Sequence, residues 1–142
     1  MATRSTIGVQ HEDGTVSVIY CHWDGYLDHN GSLLVKHYNT LDRAEALVAL
    51  GDVSSLCESI EQPEGHTFDT PVENHTIFYG RDRGEDGTQA RTFKDYRDYQ
   101  KRHDGEEYNY MFRDGKWECE AYGKFYKDVA EELECMAEDD SN

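Results

Sequence analysis

Proline is almost absent: Pro63 and Pro71 are the only two in 142 residues. No Pro-rich linker divides the chain. Basic residues are also scarce, 14 Lys and Arg against 30 Asp and Glu, for a formal net charge of -16. A nucleic-acid ligand needs its phosphates neutralised, so free nucleic acid is a poor ligand for such a surface as a whole. No apolar run approaches membrane-spanning length. The start has no positively charged segment followed by an apolar one, so no secretory signal is expected. Cys21, Cys57, Cys119 and Cys135 are far apart, with no C-x-x-C. The expectation is a reduced, cytoplasmic protein.

Aromatics, by contrast, are abundant. Ten Tyr, five Phe and two Trp bring large buried areas and argue for a folded body. The length suits a single domain, expected over 1–137 with a frayed acidic tail at 138–142.

Two Asp-Gly pairs punctuate alternating runs. Ile7 and Val9 precede Asp13-Gly14, and Val16, Val18 and Tyr20 follow it. Tyr108, Tyr110 and Phe112 precede Asp114-Gly115, and Trp117, Cys119 and Ala121 follow it. Each pair predicts a hairpin, because a type I′ turn needs positive φ at both central residues. Helices are predicted over 32–38 and 41–50. The second has Thr40 as its cap, Leu41, Ala44, Leu47 and Val48 at helical spacing, and Gly51 as its stop. Asp52 is read as capping one further turn through Leu56. Residues 58–75 read as a long, poorly packed loop. A short strand is predicted at 75–80, another at 90–93, and a helix over 93–103 capped by Thr92. A last amphipathic helix, 124–137, would carry Phe125, Val129, Leu133 and Met136 inward. The predicted fold is α+β: an antiparallel sheet of two Asp-Gly hairpins plus a short central strand, with helices mainly on one face.

The densest chemistry is Tyr20-Cys21-His22-Trp23-Asp24-Gly25-Tyr26, at a predicted strand end where loops give access. Cys21 and His22, adjacent on a strand, point to opposite faces. A Cys–His dyad would need His11, His37 or His75 instead, and a small buried Cys21 is the favoured reading. His22, Asp24, Asp28 and His29 are compatible with a divalent ion, but they fit neither a zinc pattern nor an EF-hand. A polar loop is favoured, and no metal or cofactor is assigned. Arg81 and Arg83 follow a strand in a Gly-rich loop and could cradle a phosphate. The interleaved Asp82, Glu85 and Asp86 favour a self-paired loop. Tyr108, Tyr110 and Phe112 could stack bases, but with Glu106 and Glu107 beside them core packing is preferred.

Charge is uneven. Residues 1–80 hold 3 basic and 12 acidic residues, 81–104 hold 7 and 6, and 105–142 hold 4 and 12. Glu106 and Glu107, with Asp128, Glu131, Glu132, Glu134 and Glu138 on the last helix, could imitate a row of DNA phosphates. Carboxylates on one helix face lie roughly 5–6 Å apart. The competing reading is a solvated face.

The stretch 20–26 also carries a resemblance, together with Met1-Ala2-Thr3-Arg4-Ser5-Thr6-Ile7, His37-Tyr38-Asn39-Thr40, Ala49-Leu50-Gly51-Asp52-Val53-Ser54-Ser55-Leu56 and Phe78-Tyr79-Gly80-Arg81-Asp82-Arg83-Gly84-Glu85. With these the chain resembles a family of small acidic proteins of tailed bacteriophages that have no assigned activity. The resemblance implies a phage early or accessory gene and carries over no catalytic residue. It also implies a class in which inhibitors of host machinery or host defence are frequent.

The resulting expectation is a non-enzymatic phage accessory protein, without a cofactor, acting in the cytoplasm of an infected bacterium. It would bind and inhibit a host protein with a basic surface, of the nucleic-acid-handling defence kind (anti-CRISPR or antirestriction), through Glu106, Glu107, Asp128, Glu131, Glu132, Glu134 and Glu138. Two alternatives stand beside it. In one, Tyr20, His22, Trp23, Asp24 and Tyr26 bind a nucleotide whose phosphate Arg81 or Arg83 holds. In the other, His22 and Asp24 serve a metal-dependent hydrolase.

Overall fold

The computed structural model describes residues 2–140, with side chains described through Ala137. Its centre is β1 (Ser5–Gln10), flanked by β2 (Val16–Cys21) and β6 (Tyr108–Arg113). The sheet continues past β6 through β7 (Lys116–Ala121) to β8 (Lys124–Tyr126), and past β2 through β3 (Val53–Ser55) to β4 (Ile77–Phe78). A further strand, β5 (Arg91–Phe93), shares the outer edge of β2 with β3. The helices are α1 (Ser32–His37), α2 (Leu41–Ala49), α3 (Tyr79–Arg83), α4 (Tyr96–Arg102) and α5 (Val129–Asp140).

This is an α+β fold with a mixed sheet. The antiparallel sheet expected from the sequence is corrected in one central place: β1 runs parallel to β6, with Ile7 beside Tyr110. β2 and β3 also meet in parallel. The short strand expected at the centre lies at the edge, as β4. Alternation specifies which residues face the core, but not which neighbour a strand takes.

The two Asp-Gly pairs behave differently. Asp114 and Gly115 both have positive φ, 56° and 81°, and Arg113 pairs with Lys116 across a two-residue turn. Residues 11–15 instead form a longer loop in which Gly14 has positive φ and the Asp13 side chain accepts from Thr15 N–H. A second two-residue turn, Tyr122-Gly123, has φ of 52° and 80° and pairs Ala121 with Lys124. It turns residues 124–126 into a strand, so Phe125 lies on β8, exposed, and not on the last helix. That helix begins at Val129 and runs through Asp140, while 141–142 lie outside the described residues.

Other expectations shift by local chemistry. Thr40 does cap α2, accepting from Arg43 N–H, and Gly51 follows that helix at φ 88°. A Cβ on Gly51 would stand 2.5 Å from Thr88 O, so the glycine also admits a close approach of two loop segments. Asp52 does not cap a turn. It accepts from Tyr20 N–H and pairs with Arg91, and 53–55 is a strand. Asp95, not Thr92, caps α4, accepting from Asp98 N–H at 2.7 Å.

Residues 58–75 do not pack as poorly as expected. His66 is buried; its Nδ1 accepts from Val72 N–H and its Nε2 lies 3.2 Å from Thr76 O.

The core has two unequal parts. Ile7, Val9, Ile19, Cys21, Tyr110, Phe112, Trp117 and Cys119 form one side with Leu34, Tyr38, Leu47, Val48 and Val129 of α1, α2 and α5. Buried polar atoms are paired there: Trp117 Nε1 donates to Tyr38 O, Tyr38 Oη to Cys57 O, and Tyr110 Oη to Gly25 O. Opposite them, Val16, Val18, Phe93, Tyr99 and Met111 form a smaller cluster under α4.

Candidate functional site

The stretch 20–26 leaves β2 with alternating direction, as a strand must. Tyr20 and His22 share one side, with Oη and Nδ1 2.7 Å apart, and Trp23 meets the His22 ring edge-on. Cys21 points the other way into the core. Burial pushes its thiol up to about 11, and Asn30 Nδ2 donates to its sulfur. A thiol so placed is a poor nucleophile.

Arg81 and Arg83 do not join these aromatics. Arg81 makes hydrogen bonds to Ile60 O, Glu61 O, Thr76 O and the Asp82 carboxylate, and lies over the Phe78 ring. Arg83 lies over Phe68. Asp82 is buried and also accepts from Phe78 N–H and Gln62. Burial pushes its carboxyl up, but the hydrogen bonds from Arg81 and Phe78 outweigh that and hold it below its ordinary value. This knot fastens the 58–75 loop to β4. Arg81 pairs within its own segment, with Asp82, and with the 58–75 loop, which leaves the alternative phosphate role without support from its geometry.

The acidic candidates divide. Glu106 lines a cleft on the α4 side of the sheet. Glu107 turns to the opposite rim, where Tyr122 Oη donates to its carboxylate at 3.2 Å. Asp128 caps α5, with Glu131 N–H 3.4 Å from its carboxylate. Glu131 and Glu134 are exposed on that helix and Glu132 is half-buried. The Glu138 side chain lies outside the described residues. Thus Glu106 is separated from the rest.

Two acids absent from that set sit on the same rim. Residues Leu27–Gly31 form a π-helical turn, not a plain loop, that packs beside α1 and α5. It presents Asp28. The charge of Asp24, then burial and Asp28, raise the Tyr26 phenol. Burial chiefly raises the Tyr108 phenol, with Glu107 and Asp28 adding to it. One acidic rim therefore runs through Asp24, Asp28 and Glu107. Trp23, Tyr26 and Tyr122 stand exposed along it, Tyr122 at 73%. None of these three carboxylates, nor Glu131 or Glu134, enters an ion pair among the described residues, whereas Arg81, Arg91, Arg102 and Arg113 each do. Asx-rich loops after strands were the available signal, but only the π turn brings Asp28, like Glu107, to bear on Tyr108.

The cleft on the other side has a volume of about 470 Å³. β1 and β2 floor it with Thr6, Val18 and Tyr20; β5 and the end of α4 wall it with Arg91, Phe93, Arg102 and His103. Among the described residues no group of three or more His, Cys, Asp or Glu side chains is placed to hold a metal ion. No helix among them is long and apolar enough to cross a membrane. No protein-family model, no curated protein and no solved structure matches the chain.

Proposed function

We propose that this protein binds a basic protein partner through the Asp24–Asp28–Glu107 rim and the neighbouring outer face of α5. The observation that carries the reading is exposed aromatics set among carboxylates that enter no ion pair among the described residues. Aromatic side chains are the usual affinity anchors of protein interfaces. Carboxylates around them steer a basic partner and discriminate against acidic ones. The net charge of -16 favours a basic partner, and four of the fourteen Lys and Arg are ion-paired with internal carboxylates. The resemblance to small acidic bacteriophage proteins extends the proposal. The partner is then a host factor that handles nucleic acid, whose basic surface the rim and α5 cover, and the effect is inhibition in the host cytoplasm.

The test is capture from a bacterial host lysate treated with nuclease, at low and moderate salt. The wild type should retain one stoichiometric protein whose yield falls as salt rises. A variant with Asp24→Lys, Asp28→Lys and Glu107→Lys should lose it. Capture indifferent to those reversals would overturn the reading.

A further inference from the structure

We propose that the cleft between β2, β5 and the end of α4 is a binding site for a nucleoside monophosphate. The site is distinct from the acidic rim and independent of the partner reading. Its volume, about 470 Å³, falls within the range of ligand-sized pockets, about 300–1,000 Å³. Its chemistry is two-sided. Arg91 and Arg102 supply donors; Asp104, Glu106 and Thr92 supply acceptors.

The two arginines are positioned yet not consumed. Arg91 meets Asp52 through both terminal nitrogens at 3.1 Å, and its side chain remains 54% exposed. Arg102 meets Asp98 through Nε and one terminal nitrogen, lies over the Phe93 ring, and remains 62% exposed. A guanidinium has five N–H donors, so each keeps donors for a phosphate after its carboxylate is satisfied. The paired carboxylates hold the guanidiniums in place, which limits the entropy lost on binding.

His103 stands in the cleft wall at the end of α4. Its ring stacks on Tyr99 at 4.1 Å, and its Nδ1–H donates to Tyr99 O at 2.9 Å. Its Nε2 is buried and has no hydrogen-bond partner among the described residues. That nitrogen is enclosed by protein, so the ring serves the cleft as part of its wall and not as an acceptor for a ligand.

These groups select against a simple anion. Asp104 and Glu106 would repel a bare polyphosphate, whereas hydroxyl groups of a ribose can donate to carboxylates. One phosphate suits two guanidiniums that are already partly neutralised. Tyr20, beside the cleft floor, supplies an aromatic face for a base. The aromatic stretch at the end of β2 thus contributes one residue to the site. The arginines come from β5 and α4, not from the 81–83 segment.

The experiment is calorimetric titration of the full chain with AMP, GMP, CMP and UMP, with ribose 5-phosphate, adenosine and inorganic phosphate as the dissecting probes. At least one nucleotide should bind, with adenosine and ribose 5-phosphate weaker by about tenfold or more, as expected when charge-assisted hydrogen bonds or stacking are lost. Arg102→Gln and Arg91→Gln should each weaken it by about tenfold, and Tyr20→Leu should weaken nucleotide but not ribose 5-phosphate. Lys101→Gln, exposed on α4 and outside the cleft lining, should bind as wild type. Thermal midpoints of the variants without ligand separate a binding defect from unfolding. The proposal is overturned if no nucleotide binds at millimolar concentration. It is also overturned if ribose 5-phosphate or inorganic phosphate binds as tightly as the nucleotides, or if folded Arg91→Gln and Arg102→Gln proteins bind unchanged. Loss of lysate capture in the rim variant with nucleotide binding retained would keep the two sites separate.

Discussion

On one side of the sheet, Ile7, Ile19, Tyr110 and Trp117 meet three helices; on the other, Thr6, Gly8, Tyr20 and Asn109 from the same strands lie beneath α4, seven residues long. The first side is closed, and its buried polar atoms are paired internally. The second leaves a cleft and a buried nitrogen without a partner. A strand supplies both surfaces by alternation, so one stretch of chain can anchor the fold and leave room for a ligand at once. The comparison assigns most of the stability to the helix-covered side and places the cleft of β2, β5 and α4 on the other.

The largest expected effect tests that assignment. Trp117→Ala should destabilise by about 3–5 kcal/mol, the range for emptying an enclosed aromatic site, measured by chemical denaturation. It also leaves Tyr38 O without its indole donor. Phe93→Ala, in the smaller cluster, should cost about 2 kcal/mol, because a site near the surface loses less and relaxes more. Equal losses would remove the distinction between the two sides.

Asp82→Asn probes a polar anchor belonging to neither side. It should cost about 1–2 kcal/mol at pH 7, for weakened hydrogen bonds from Arg81 and Phe78 N–H. The folded-state pKa of Asp82 is depressed. Its contribution is therefore present above the unfolded value, about 3.9, and is lost as pH falls below it. The gap between wild type and variant should accordingly narrow below about pH 4, read from denaturation midpoints across pH. A gap constant down to pH 2 would contradict the account. The smallest effect is at Gly8, where an added Cβ would stand 2.5 Å from Met111 Cε, the end of a flexible side chain. Gly8→Ala should cost about 1 kcal/mol, because Met111 can move.

Several elements were readable because their signals are local. Thr40 and Gly51 bound α2 through backbone chemistry within a few residues. Asp114-Gly115 satisfies its turn by itself. The turn at Tyr122-Gly123 was missed because a bulky residue at positive φ is not a standard turn signal, although Gly123 supplied half of it. Its consequence was to place Phe125 on a helix instead of on β8. Likewise, 53–55 is too short for periodicity to register, and the strand expected over 75–80 shortens to 77–78; both exist because a neighbouring strand edge pairs with them.

The candidate sites show the same division. Tyr20, Trp23, Asp24 and Tyr26 stood out by composition, and Glu107 by charge. Asp28 joins Glu107 only through the π-helical turn, and Arg91 reaches the cleft only because β5 pairs with β2. Arg81 looked available in sequence, and its partners Ile60, Glu61 and Thr76 arrive from a loop that sequence distance made invisible.

The charge, the abundance of aromatics, the alternating strands and the helix that local caps define are legible in the linear chain. Those properties depend on residue type and on neighbours within a few positions. Long-range packing sets β1 beside β6 in parallel, covers one sheet side with three helices while the other carries the cleft, and turns Glu106 and Glu107 to different surfaces. These outcomes depend on which distant segments satisfy each strand's edge hydrogen bonds and cover its apolar face. No local pattern encodes that choice.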